Sequence, residues 1–188
     1  MDIEKLKRVT IVAEEFARQR LCWQESLTLQ DPTWGYIHIM ICNNFYDIAL
    51  LNWAHLFGNI GDSLHFKNTL PNPESFKSAL QDNLGMKQCL CELGTKCDCE
   101  WAKHWQAMKN FRDTRIAHID KVQSAYVPDM DIAYICVCEY YRVAVEYLKE
   151  QEKMYRGMDS SLDSYFSKSY CCYSTNVARV FAALDPIE

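Results

Sequence analysis

A chain of 188 residues can bury one sizeable core and leaves little for a second independent domain. Its 49% hydrophobic and 24% charged residues exclude wholesale disorder. The net charge of −5 excludes the basic surface of a nucleic-acid coat protein, though not a local basic cleft.

Residues 2–29 read as a first helix, with acids near its start and alternating charge along one face. Asp31-Pro32 breaks it. Residues 36–57, YIHIMICNNFYDIALLNWAHLF, are apolar nearly all round and predict a central helix wrapped by others. Its polar exceptions, Asn44, Asp47 and Asn52, are expected to bond locally within the bundle or to support a nearby site. Gly58 and Gly61 end this helix, and a polar loop with Pro71 and Pro73 follows. A short helix over 74–83 stops at Gly85, ahead of a cysteine-rich turn and a long helix over 98–119. Val127-Pro128-Asp129-Met130-Asp131 is a new start, because proline fits a first turn and acids suit its positive end. That helix runs to about Tyr155, carried by Ala133, Val137, Tyr141, Ala144 and Leu148 at helical spacing. Gly157 separates it from a last helix over 160–183. No alternating apolar–polar run, hairpin dipeptide or internal repeat occurs, and five prolines and six glycines are too few for many short strands. The pattern predicts an all-α single domain over residues 1–188, a four-helix bundle with additional short helices.

The start, MDIEKLKRVT, is charged and lacks the apolar core of a secretory leader, and no run of about twenty apolar residues could span a membrane. A cytoplasmic protein follows, in which the ten cysteines are reduced. Most then act as small hydrophobes on helix faces. The densest group is CLCELGTKCDCE, with Cys89, Cys91, Cys97 and Cys99, and His104 close behind. Four thiolates so near one another could bind zinc tetrahedrally. Structural zinc sites favour longer spacing within and between their cysteine pairs, so packing thiols remain the simpler reading.

The helix over 98–119 carries the chemistry. On a wheel of about 100° per residue, Trp101, Trp105, Met108, Arg112, Arg115 and Ile119 share one stripe. A core stripe therefore continues into two guanidinium groups, which cannot neutralise themselves and need anions or water. His118 lies on the adjacent side, and from Arg112 to His118 the rise is about 9 Å, near the size of a nucleotide. Such groups could flank one phosphodiester. Alternatively each arginine snorkels to the edge or pairs with Asp113, Asp120 or Asp47, and His118 is an ordinary histidine.

The string FRDTRIAHID resembles the motif of the HEPN superfamily, in which an arginine and a polar residue precede a histidine by a few positions. It is similar to the form seen in the abortive-infection U-type branch. LNWAHLFG at 51–58 and the proline-led helix after the motif are weaker echoes, so the resemblance spans 36–150 and is specific over about a dozen residues. It implies a HEPN-like helical bundle and a metal-independent endoribonuclease without cofactor. It also implies a homodimer whose two motifs form a composite site, with the Trp/Met/Arg stripe meeting its own copy. Arg112 and His118 would be catalytic, Asp113 supporting, and Arg115 and Lys109 RNA-binding. Five positive side chains (Lys103, Lys109, Arg112, Arg115, Lys121) face three negative ones (Glu100, Asp113, Asp120) over residues 100–125, which makes the region locally basic. A toxin or antiviral defence effector, with an antitoxin or regulatory partner, is the implied role. Related toxins often carry tyrosine two residues past the histidine as a modification target. Here Asp120 stands there, which argues against that route of control. The alternative is a non-catalytic helical module that binds RNA or protein, stabilised by zinc at the 89–99 cluster.

Overall fold

The structure is a computed structural model that describes residues 2–29, 35–86, 99–115, 127–167 and 175–179. Those residues are helical or irregular, and no strand occurs among them. Four long helices form the bundle: α1 (Ile3–Thr28), α2 (Gly35–Trp53), α5 (Glu100–Arg115) and α6 (Met130–Gln151). The short helices α3 (Phe66–Thr69), α4 (Pro73–Asn83) and α7 (Leu162–Ser167) complete it, with a further turn of helix at 175–179.

The first helix begins where Asp2 accepts hydrogen bonds from the Glu4 and Lys5 amides, satisfying two otherwise orphaned donors. Its core face is Leu6, Val9, Ala13 and Phe16, at helical spacing. Contacts then fix direction. Lys7 pairs with Glu152, Tyr141 donates to Glu14 (3.3 Å), and Arg20 pairs with Asp131, so α6 runs antiparallel to α1. His38 Nε2 meets the Ser26 carbonyl (3.1 Å) and Tyr46 packs edge-on against Trp23, so α2 doubles back on α1. Likewise α5 opposes α2: Phe111 packs on Tyr46, His104 on Trp53, and Trp105 on the end of α2. One hydrophobic cluster joins all four long helices.

The end of α2 departs from expectation. The α-helix stops at Trp53 and passes into a π turn, Ala54–Gly58, closed by the bond from the Asn59 amide to the Ala54 carbonyl (3.1 Å). Its Phe57 carbonyl accepts two donors, Trp105 Nε1 from α5 (2.7 Å) and His65 Nε2 from the following loop (3.1 Å). Around it Phe57, Phe66, Phe76 and Tyr140 form an aromatic cluster with centroids 5.5–5.8 Å apart. The loop expected between Gly61 and Pro73 thus holds α3, whose Phe66 is wholly buried.

Elsewhere the elements fall close to expectation. Asn72 caps α4, Pro73 occupies its first turn, and Gly85 ends it at φ +65°, a conformation that favours glycine. Asp129 caps α6, accepting from the Asp131 amide (2.7 Å). Of the predicted long helix over 98–119, Glu100–Arg115 is described, and of the last helix over 160–183, Leu162–Ser167 and 175–179. The remainder of both lies outside the described residues.

One expectation is corrected. The second helix is not wrapped on all sides: Ile37 (55%), Met40 (47%), Ile48 (41%) and Leu51 (39%) face solvent. Its two apolar sides reflect one buried face and one exposed face, which periodicity does not distinguish. Asn52 bonds locally, as expected, to the Ile48 carbonyl (3.0 Å), while Asn44 is exposed. No described helix is long and apolar enough to cross a membrane.

Trp105→Phe deletes the bond to Phe57 and leaves a cavity where the larger indole packed. The carbonyl retains His65, so the expected loss is about 2–4 kcal/mol in urea unfolding. Leu50→Ala, at a fully buried site on α2, should cost about 2–5 kcal/mol in the same measurement.

Candidate functional site on the last turns of α5

Helix α5 presents Trp101, Trp105 and Met108 to the core, as the wheel predicts, and Phe111 as well. These side chains pack inside the monomer against α2 and its π turn. They are therefore not the surface that a second subunit would cover. At the end of this stripe stands Arg112, its side chain 23% exposed. Its Nε and Nη2 both donate to Asp113 Oδ1, at 2.9 and 2.6 Å. That contact fixes the plane of the guanidinium and offsets its partial desolvation.

The third nitrogen, Nη1, lies against Gly58. A Cβ placed on that glycine would sit 3.1 Å from Ala54 Cβ, 3.2 Å from Trp53 Cζ3 and 3.5 Å from Nη1. The LNWAHLFG segment and the RDTRIAH segment, distant in sequence, are thus in contact at Gly58 and Arg112. Lys109 stands one turn earlier on α5, its ammonium 5.3 Å from the centroid of the Trp105 ring. Thr114 bonds back to the Asn110 carbonyl (2.8 Å), closing the last described turns. Arg115 is the final residue of α5. His118, the expected acid or base, lies outside the described residues.

A buried histidine, His65, and a half-buried one, His104, flank this end of the bundle. His65 Nδ1 accepts from the Lys67 amide (3.2 Å) while Nε2 faces the Phe57 carbonyl, which requires the neutral tautomer with Nε2–H. Burial pushes its pKa down to about 4, against the opposing pull of the Phe57 bond. His104 packs edge-on against Trp53, and burial likewise lowers it to about 4 although Asp129 favours its charge. His104 Nε2, Trp53 Nε1 and Trp101 Nε1 have no hydrogen-bond partner among the described residues.

Sequence reasoning missed one pair. His55, exposed on the π turn, meets Asp62 (Nδ1–Oδ2, 2.6 Å), and Asp62 also accepts from the Leu64 amide (2.8 Å). Burial alone would raise the Asp62 pKa, but the His55 and Leu64 bonds outweigh it and lower it. The available signal was an exposed histidine at a helix end with an acid seven residues on, which is too common to single out. A separate cleft of about 360 Å3 lies between α1, α6 and α7. Arg20, Tyr134 and Asp163 line it, and α5 does not.

The zinc candidates divide. Cys89, Cys91 and Cys97 lie outside the described residues, and the Cys99 sulfur accepts from the Ala102 amide (3.4 Å) at the start of α5. Among the described residues no cluster of three His, Cys, Asp or Glu side chains is arranged for a metal. Cys136 and Cys138 are reduced thiols that burial pushes up, Cys138 to about 12, consistent with a packing role.

No protein family, curated protein or solved structure matches this chain.

His65 and His104 make stability depend on pH. Both have folded pKa values near 4 against 6.5 in the unfolded chain, so the unfolded state binds more protons between those limits. Their contribution is complete above about pH 6.5 and is lost as pH falls towards 4. The urea midpoint should therefore drop steadily from pH 7 to pH 4, and His104→Leu should show a shallower decline.

Proposed function

We propose that the chain is a metal-independent endoribonuclease of the HEPN type, acting on single-stranded RNA in the cytoplasm. The observation that carries this reading is Arg112. It sits at the edge of the core on α5, oriented by Asp113, partly exposed, and six residues before His118 in a locally basic segment. A guanidinium so placed can donate paired N–H groups to a phosphate, and it gains strength as charge builds on the phosphorus oxygens.

In the reaction, the ribose 2′-oxygen attacks the adjacent phosphorus while its proton passes to a base. The bond to the 5′-oxygen breaks, and that oxygen takes a proton from an acid. The products are a 2′,3′-cyclic phosphate and a 5′-hydroxyl. His118 supplies one of the two proton transfers, and a homodimer would bring a second His118 for the other. Arg112 holds the scissile phosphate, Asp113 fixes the guanidinium, and Arg115 and Lys109 bind the strand. A toxin or antiviral defence effector held in check by an antitoxin or regulatory partner suits such an activity.

Cleavage of mixed single-stranded RNAs in excess chelator tests this. Wild type should cut. Arg112→Ala should lose roughly 100- to 1000-fold and His118→Ala a comparable factor, with helicity unchanged by circular dichroism. Asp113→Asn, which leaves the arginine but weakens its clamp, should lose about tenfold. Intact RNA with wild type, or equal cutting by the variants, would instead leave a non-catalytic binding module.

A further inference from the structure

Cleavage by 2′-oxygen attack needs two proton transfers, and the His118 of a second copy is one source of the second. The π turn carries another source within the same chain. His55 stands on that turn with its side chain 54% exposed, and its Nδ1 meets Asp62 Oδ2 at 2.6 Å. Against the opposing effect of burial, the His55 and Leu64 bonds hold the Asp62 carboxyl below its usual range, so it is ionised. An ionised carboxylate only accepts. Nδ1 therefore carries the hydrogen, and Nε2 is left for another molecule.

An exposed ion pair by itself adds little to stability. The loop after the π turn is nonetheless built to hold this one. Asn59 Oδ1 accepts from the Gly61 amide (3.0 Å), and the Asp62 amide donates to the Asn59 carbonyl (2.9 Å). Asn68 Nδ2 donates to the carbonyls of Ile60 (2.6 Å) and Asp62 (2.7 Å). A fixed carboxylate thus orients an exposed imidazole, which is the pairing that acid–base sites use. Single π turns within helices also recur at functional sites.

The same turn meets the arginine. Asp113 takes Nε and Nη2 of Arg112, and Nη1, the nitrogen it leaves, lies against Gly58. A phosphate on Nη1 therefore sits beside the π turn, and Gly58, three residues after His55, adds no side chain between them. Residues three apart on a helix have backbones about 5 Å apart, a separation that an imidazole and a phosphate together can span. We propose that His55 is the general acid of the reaction and Asp62 its positioning residue. His55 donates its Nε2 proton to the leaving 5′-oxygen while His118 takes the proton of the 2′-hydroxyl. The bond from phosphorus to the 2′-oxygen forms as the bond to the 5′-oxygen breaks. His118 ends charged and His55 neutral, and solvent restores both. An acid must hold its proton before the reaction, and the Asp62 anion stabilises that charge. The assignment rests on the ribonuclease reading of Arg112 and His118.

Sulfur in place of the bridging 5′-oxygen tests it, because a thiolate leaves without a proton. On ordinary RNA, His55→Ala should lose about 100-fold or more. On the 5′-thio strand it should cut within about tenfold of wild type, whereas His118→Ala stays impaired on both. His55→Gln, which keeps a donor for Asp62 but no acidic proton, should match His55→Ala. Asp62→Asn should lose about tenfold on the oxygen strand and little on the sulfur strand. Circular dichroism should show every variant as helical as wild type. If wild type cuts RNA and His55→Ala cuts equally well, the acid lies elsewhere and the ribonuclease reading stands without this proposal. Equal impairment of His55→Ala on both strands, or wild-type cutting by His55→Gln, would also overturn it. Intact RNA with wild type would remove both.

Discussion

The carbonyl oxygen of Phe57 is the junction on which the site end of the bundle depends. It belongs to a π turn, where the helix ladder is broken and an acceptor is left for others to use. Trp105 reaches it from α5 and His65 reaches it from the loop that leads to α3. One acceptor therefore sets the register of α5 on α2 and holds the loop against the aromatic cluster of Phe57, Phe66, Phe76 and Tyr140. Because His65 can serve only as the neutral Nε2–H tautomer, the junction also prefers pH above its unfolded pKa.

The register places Arg112. With Trp105 fixed at Phe57, the stripe of α5 stays buried as far as Met108 and Phe111, and the arginine emerges beside Gly58. An arginine placed nearer Trp105 would bury its charge in the core, away from water. At the edge it finds the Asp113 carboxylate and part of its surface stays wet. Core packing and the proposed phosphate contact are thus compatible on one helix: the apolar residues anchor it, and Arg112 is the first side chain of the buried stripe with access to solvent.

Much of this was legible in the sequence for stated reasons. Gly85 and Asp129 mark helix ends by local chemistry, and the structure uses both. Asp2 and Asn72 are caps that the sequence pattern places inside a helix and within a loop, Pro73 opens α4 instead of closing the loop, and Pro128 precedes the cap of α6 instead of entering its first turn. The helical wheel identified Trp101, Trp105 and Met108 as core but missed Phe111, because α5 buries a wider arc than one stripe. Other features were not legible. The π turn, the His65–Phe57 bond and the His55–Asp62 pair depend on backbone geometry and on loop contacts that carry no periodic signal. Helix α2 misled in a different way: hydropathy showed two apolar sides, but only neighbouring elements decide which side is covered. The candidate site was found by residue type and spacing around Arg112, and the structure adds the Asp113 clamp and the contact with Gly58.

The most direct test concerns the nucleophile. A single-stranded RNA with one susceptible linkage, and the same strand with a single 2′-deoxyribose at that nucleotide, can be compared in excess chelator. The account predicts that the first is cut to a 2′,3′-cyclic phosphate and the second remains intact. Cutting of both strands, 3′-hydroxyl ends, or no cutting of either would contradict it.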